Sequence, residues 1–229
     1  MTSRSSALLV PGRCAVVVVD MQNDYCHPEG ALASTGADVS ACASAAASVD
    51  RLLAAARAAG VPCLHARTEH SEWTDTAEWT ARGDGGDLLD PRHHPIVRQG
   101  SWGAEPYVIH ALPEDRILVK HRYSGFAYTP LELFLRARDR HVVVLAGVTS
   151  DICVRATGFD ALTRGFSPVL VRDCTASTSS ERHEAAVRDF AACLGPVVPF
   201  DEVESSWGRS GAAATAPLEA AADQHEGAA

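Results

Sequence analysis

Apolar and polar positions fall into blocks with two different periods. Residues 14–19 read CAVVVV, an unbroken β-branched run that suits a strand buried on both faces. From Asp38 the period lengthens: Val39, Cys42, Ala46, Val49, Leu53 and Ala56 recur every three or four positions. That spacing predicts a helix capped by Asp38 and ended at Gly60. Further strands are predicted at VPCLHAR (61–67), RILVK (116–120), HVVVLAG (141–147) and PVLVRD (168–173), with a short sixth in PVVPF. Thr129 and Pro130 supply an N-cap and a first-turn proline for the helix LELFLRARD, and two more helices are predicted at about 152–164 and 180–194. Strands alternating with helices mean right-handed crossovers, hence an α/β fold: a three-layer α/β/α domain with a mostly parallel, Rossmann-like sheet. Ligands of such a sheet bind beyond the carboxyl ends of its strands.

Two stretches break the rhythm. Residues 68–115 hold Trp73, Trp79 and Trp102, a DGGD turn at 84–87, and Pro91 and Pro95. A connection of that size is commonly a lid or binding loop. From Ser205 onward Ala, Gly, Ser and acidic residues dominate. The expected organisation is an N-terminal segment 1–12, one domain over 13–203, and a disordered tail over 204–229, with an Ala-rich helix at 216–223 as the alternative for the tail.

Composition narrows the partners. The 229 residues are 46% hydrophobic and 21% charged, and 20 Lys and Arg against 29 Asp and Glu give −9. That field repels phosphate backbones, so no nucleic acid partner is expected. No aliphatic run approaches the ~20 residues of a membrane helix, and MTSRSSALLVPGR is too poor in apolar residues for a signal peptide. The chain is therefore expected in the cytoplasm, with no membrane partner. Seven scattered cysteines without a CxxC pair argue against a disulfide framework or a cysteine zinc site. Most should be small buried hydrophobes.

One cysteine has company. The first strand ends at Asp20, the third at Lys120, and the fourth runs into Cys153. An acid, a base and a thiol are thus expected at one sheet edge, from neighbouring strands. A free thiol has a pKa of about 8.5. A helix N-terminus beneath Cys153 and a cationic Lys120 should favour its thiolate. Asp20 can act as general base on the thiol and then on water. The turn GVTSD lets the N–H groups of Thr149 and Cys153 face a developing oxyanion. Asp151 is expected to point away, since its charge would oppose the thiolate.

At these residues the chain resembles the isochorismatase-like cysteine hydrolases, a family that includes N-carbamoylsarcosine amidases, ureidoacrylate amidohydrolases, nicotinamidases and isochorismatases. The shared motifs are D-M-Q-N-D, K-H-R-Y-S-G-F, A-G-V-T-S-D-I-C-V and T-x-x-D-A-x-x-R-G-F, and the similarity spans about 13–203. The resemblance implies a six-stranded parallel sheet, a Cys153–Asp20–Lys120 triad, a thioester intermediate and a cis peptide before Thr149. It also implies a homo-oligomer.

Within that family, metal-binding members carry Asp-x-His after the second strand. Here the matching stretch is Thr68-Glu69-His70, and His93 and His94 are awkwardly adjacent for one ion. No metal and no cofactor are expected. A retained cysteine favours acyl transfer, so the expected function is a metal-independent cysteine amidohydrolase. Its substrate would be a small amide or carbamoyl (ureido) compound. Vinyl-ether hydrolysis, nicotinamide hydrolysis and a non-catalytic binding role are the alternatives. Trp102, Tyr123, Phe126 and Tyr128 are candidates for the substrate pocket wall, with core packing the competing role. Gln22 is a further substrate-binding candidate, although with Asn23 and Asp24 it more readily orients the Asp20 loop. Arg67 and Arg155 could read a carboxylate or form ordinary ion pairs. Arg122 has no assignable role from sequence.

Overall fold

Six strands run parallel in the order β3-β2-β1-β4-β5-β6: β1 Cys14–Val19, β2 Cys63–Thr68, β3 Arg116–Lys120, β4 Val142–Gly147, β5 Ser167–Thr175 and β6 Val197–Val198. The structure is a computed structural model that describes residues 7–81 and 96–214, with side chains as far as Gly208. β1 lies between β2 and β4, and all six of its residues are buried. That is why its sequence shows no polar alternation.

The two faces of the sheet divide the core by the period of two. Val16 and Val18 face one side, with Val49, Leu52, Leu53, Phe200 and Trp207. These come from helices α3 (Ala41–Ala58) and α8 (Phe200–Ala214). Ala15, Val17 and Val19 face the other, with Leu131, Leu135, Ala161 and Phe190. Those come from α5 (Leu131–Ala137), α6 (Arg155–Thr163) and α7 (Ser180–Cys193). Each fully buried aliphatic side chain contributes roughly 1.5–3 kcal/mol relative to exposure. The short helices α1 (Asn23–Cys26), α2 (Ala31–Ser34) and α4 (Ala77–Thr80) belong to loops above the strands' carboxyl ends.

Several boundaries differ from the sequence pattern. Asp38 does not cap α3: its Oδ1 accepts from the Ser40 N–H at 2.9 Å, so it closes a turn before the helix. Gly60, at φ 68°, follows α3 as expected. The tail starts later than its composition suggests. Ser205 lies within α8, and Trp207, 2% exposed, packs into the core. The tryptophan outweighs the surrounding small residues because it buries a large apolar area. The helix proposed for 216–223, the DGGD turn, His93 and His94 lie outside the described residues.

The strand order reverses between β1 and β4, which opens a crevice at their carboxyl ends. Gly147, at φ 106°, ends β4 there, and a Cβ at that position would collide with the Val19 carbonyl. Only glycine lets β4 come that close to β1.

Candidate active site

Asp20 follows β1 with φ 53°, a left-handed conformation that Asp tolerates better than most residues. Lys120 ends β3, but β3 is not β1's neighbour. β2 lies between them, and its last residue, Thr68, is paired in register with Lys120. Acid and amine therefore come from strands one removed, and Thr68 fills the gap. Its hydroxyl donates to Asp20 Oδ1 at 2.8 Å and accepts from Lys120 Nζ at 2.6 Å. Nζ also lies 2.7 Å from Asp20 Oδ2 and donates to the Arg122 carbonyl at 3.1 Å. All three N–H groups of the ammonium thus have a partner. Burial alone would lower the amine's pKa, but the charge of Asp20 and the neighbouring Cys153 outweigh it and hold Lys120 above its usual value. The Asp20 carboxylate also interacts with the Cys153 thiol, which puts it in reach of that proton.

Cys153 sits in a single wide turn, Ser150–Val154, ahead of α6. The N–H groups of Ile152 and Val154 both reach back to the Thr149 carbonyl, and the Ser150 N–H donates to Ala176 O. The Val148–Thr149 peptide is cis. Among the described residues no acceptor pairs with the Thr149 N–H. Cys153 is 7% exposed, and its thiol interacts with both Asp20 and Lys120. Its ionisation departs from the sequence expectation. Burial pushes the Cys153 thiol well above its usual value; Lys120 opposes the rise and Asp20 reinforces it. Burial is the largest of these influences and outweighs the ammonium.

Above the thiol lies a cavity of about 270 Å³ lined by Thr68, Lys120, Thr149 and Cys153, with Tyr25, Trp79, Arg122, Tyr123 and Arg182 among its walls. Burial and the Asp20 charge hold the Tyr25 phenol well above its usual pKa, so it remains a neutral hydroxyl. Tyr123 and Trp79 pack at a tilt, with ring centroids 4.9 Å apart. Asp151 stands in this wall rather than pointing away. Its carboxylate accepts from Ser177 at 2.5 Å and from Arg182 Nε at 2.7 Å. Burial would raise its pKa, but those partners hold it below the usual range. A larger hollow of about 380 Å³ opens at the opposite end of the strands, against Arg57 and Asp115, away from the acid, amine and thiol.

Of the five substrate-binding candidates, Tyr123 alone lines the cavity. Gln22 is fully buried, and its amide is committed to backbone. Nε2 donates to Thr68 O and Ala104 O at 2.8 Å, while Oε1 accepts from the Thr68 N–H at 2.8 Å. Gln22 thus locks Thr68 in place. Phe126 lies in the core below, 5.7 Å from Phe166. Trp102 packs edge-on against His27, and Tyr128 is 87% exposed. Asn23 and Asp24 tie neighbouring loops through Trp102 O, Ala31 N and Val97 N. Arg155 forms a surface ion pair with Asp189, and Arg67 stands outside the cavity lining.

Sequence reasoning missed Thr68, Tyr25, Trp79 and Arg182. For Thr68 a signal existed: it ends the strand between those of Asp20 and Lys120. Among the described residues, no three His, Cys, Asp or Glu side chains cluster as metal ligands. His70 is held by Asp75, its Nδ1 lying 3.1 Å from Oδ1.

A family model for the isochorismatase domain matches residues 14–202. Ureidoacrylate amidohydrolase RutB of Methylobacterium radiotolerans is 34% identical, over 87% of this chain and 81% of that protein. RutB of Cronobacter sakazakii is 32% identical, over 76% and 80%. Among solved structures, a cysteine hydrolase from Pseudomonas syringae pv. phaseolicola 1448A superimposes with a TM-score of 0.75 at 28% identity, covering 88% of this chain and 95% of that one. N-carbamoylsarcosine amidase from Thermoplasma acidophilum gives 0.64 at 29% identity, over 82% and 97%.

Proposed function

This chain belongs to the isochorismatase family and is a hydrolase acting on carbon–nitrogen amide bonds, and from that premise we propose that it works through Cys153, Asp20 and Lys120 without a metal. The substrate is a small amide or carbamoyl (ureido) compound, of which ureidoacrylate is one candidate. The observation that carries the reading is the thiol beside the ion-paired carboxylate of Asp20, at the floor of a cavity where the Thr149 N–H has no acceptor among the described residues.

The chemistry begins from the neutral thiol. As Sγ attacks the carbonyl carbon, its proton passes to Asp20, so no free thiolate has to be stabilised beforehand. The carbonyl oxygen becomes an oxyanion and is met by the Thr149 and Cys153 N–H groups. Asp20 then returns the proton to the departing nitrogen. The C–N bond breaks, ammonia or an amine leaves, and an acyl group remains on sulfur. Water attacks the thioester while Asp20 takes its proton, and the carboxyl product leaves as Sγ is reprotonated. Lys120 stays protonated throughout and keeps Asp20 ionised between steps. No cofactor enters the cycle.

Ammonia release from nicotinamide, N-carbamoyl amino acids, ureidoacrylate and maleamate, with EDTA present, tests this. Wild type should turn over at least one of them and Cys153→Ala none. Turnover that survives Cys153→Ala would overturn the thioester route and favour ether-type hydrolysis, which needs no nucleophile. Turnover that EDTA abolishes would overturn the metal-free reading.

A further inference from the structure

We propose that Arg122 is the specificity-determining residue of the cavity, holding a carboxylate or similar anionic group on the substrate's far end from the scissile carbonyl. The inference deepens the reading of the site as a C–N hydrolase and rests on it for the position of the scissile bond.

The charges in the cavity wall do not balance among the described residues. Among the described residues, three permanent cations line it: Lys120, Arg122 and Arg182. Lys120 is neutralised by Asp20 at 2.7 Å. Arg182 is neutralised by Asp151, whose Oδ2 lies 2.6 Å from Nη2 and 2.7 Å from Nε. Arg122 meets no carboxylate among the described residues. Its Nη1 donates to the carbonyls of Thr74 at 3.0 Å and His121 at 2.7 Å, and its guanidinium lies 4.7 Å from the centre of the Trp79 ring. Those contacts fix the plane of the group without cancelling its charge. They use one nitrogen. The Nε and Nη2 edge has no partner among the described residues, and that is the edge that binds a carboxylate through two parallel hydrogen bonds.

Arg122 is also rigidly coupled to the reacting groups. Its own carbonyl accepts from Lys120 Nζ at 3.1 Å, and its neighbour Tyr123 packs at a tilt against Trp79. A substrate anion seated on the guanidinium would therefore be referenced to the same backbone that holds the amine. A cation with no carboxylate among the described residues is costly to maintain in a partly enclosed wall, and an anionic ligand removes that cost. A neutral amide would leave it unmatched, so the cavity discriminates between an acid and its neutral analogue through this one residue. Sequence reading could not place Arg122 because its partners come from the Trp79 segment.

Two measurements separate this inference from the reading beneath it. The first compares N-carbamoyl-β-alanine with its methyl ester in wild type, Arg122→Gln and Arg122→Lys, with Tm recorded for each. The acid-to-ester ratio of kcat/KM should fall by about 10–100-fold in Arg122→Gln, the loss of one charged, two-bond contact, and by less in Arg122→Lys. The second needs no substrate. Rates of alkylation by iodoacetate and by iodoacetamide are followed at Cys153 by peptide mass spectrometry, with the exposed Cys193 as internal reference. The iodoacetate-to-iodoacetamide ratio at Cys153, relative to Cys193, should drop at least about tenfold on Arg122→Gln. If folded Arg122→Gln leaves both ratios where wild type has them, Arg122 is not the anion site, and C–N hydrolysis is untouched. If no amide is turned over but the alkylation ratio follows Arg122, the anion site stands and the C–N reading fails.

Discussion

Thr68 gives the sharpest test of how the site is held together. Its hydroxyl accepts from Lys120 Nζ at 2.6 Å and donates to Asp20 Oδ1 at 2.8 Å, so one side-chain oxygen joins the two charged groups. Thr68→Val keeps the β-branched shape and removes both bonds. The ammonium then retains two of its three partners, and Asp20 loses the donor that fixes which carboxylate oxygen faces the amine. Hydrogen bonds to charged groups contribute about 1.5–3 kcal/mol each. The two losses overlap, because ammonium and carboxylate can still slide together. A stability loss of about 2–3 kcal/mol follows, or roughly 5–10 °C in Tm for a domain of this size. The same misplacement of Asp20 should lower kcat about 10–100-fold, since the oxygen that takes the thiol proton is no longer held.

The assay is ammonia release under saturating substrate, with Tm measured on the same preparations. KM should change little, because the hydroxyl is consumed by the ion pair and offers no bond to substrate. Thr68→Ser, which restores the oxygen but not the methyl, should recover most of kcat. A Thr68→Val protein with wild-type kcat and Tm would refute the bridge. Loss of kcat in both variants alike would mean that packing, not the hydroxyl, is what Thr68 contributes.

Other substitutions probe the frame around the site. Asp20→Asn leaves the Lys120 ammonium fully buried without its counter-charge, so turnover should vanish and thermal unfolding should show a loss of about 3–5 kcal/mol. Gly147→Ala forces a Cβ onto the Val19 carbonyl, and expression should give little folded protein by circular dichroism. At the other end of the sheet, buried Asp115 meets Arg57 at 2.6 Å and His65 at 3.1 Å. Burial raises its pKa, but Arg57, the Leu112 N–H and His65 outweigh that and hold it below the usual carboxylate value. A depressed folded pKa contributes stability above about pH 4 that is lost as the pH falls through the folded value. Asp115→Asn should therefore cost about 3 kcal/mol at pH 7 by denaturant unfolding, with the difference from wild type shrinking below about pH 4.

The legible and illegible parts of this molecule divide along a physical line. β1, β3 and β4 are local patterns of apolar residues, and a parallel sheet sends whatever follows each strand to one edge. Asp20, Lys120 and Cys153 could therefore be gathered from sequence without knowing any contact. The strand order was not local information. Lys120 reaches Asp20 across β2, so Thr68 becomes a bridge through register alone, and at sequence level it registers only as the absence of an aspartate. Ionisation was equally hidden. A helix start and a lysine suggest a thiolate, but burial of the sulfur outweighs the lysine. Residue type misled most at Gln22 and Phe126, since an amide or a ring is as useful for bonding backbone or filling core as for touching substrate. The cavity wall lay furthest from the pattern. Tyr25, Trp79 and Arg182 come from loops or from α7, and nothing periodic links them. Side chains on strand ends are thus fixed by the sheet, whereas those of the cavity wall depend on loop contacts, which is why the carboxylate, amine and thiol were readable in the chain and Arg122 was not.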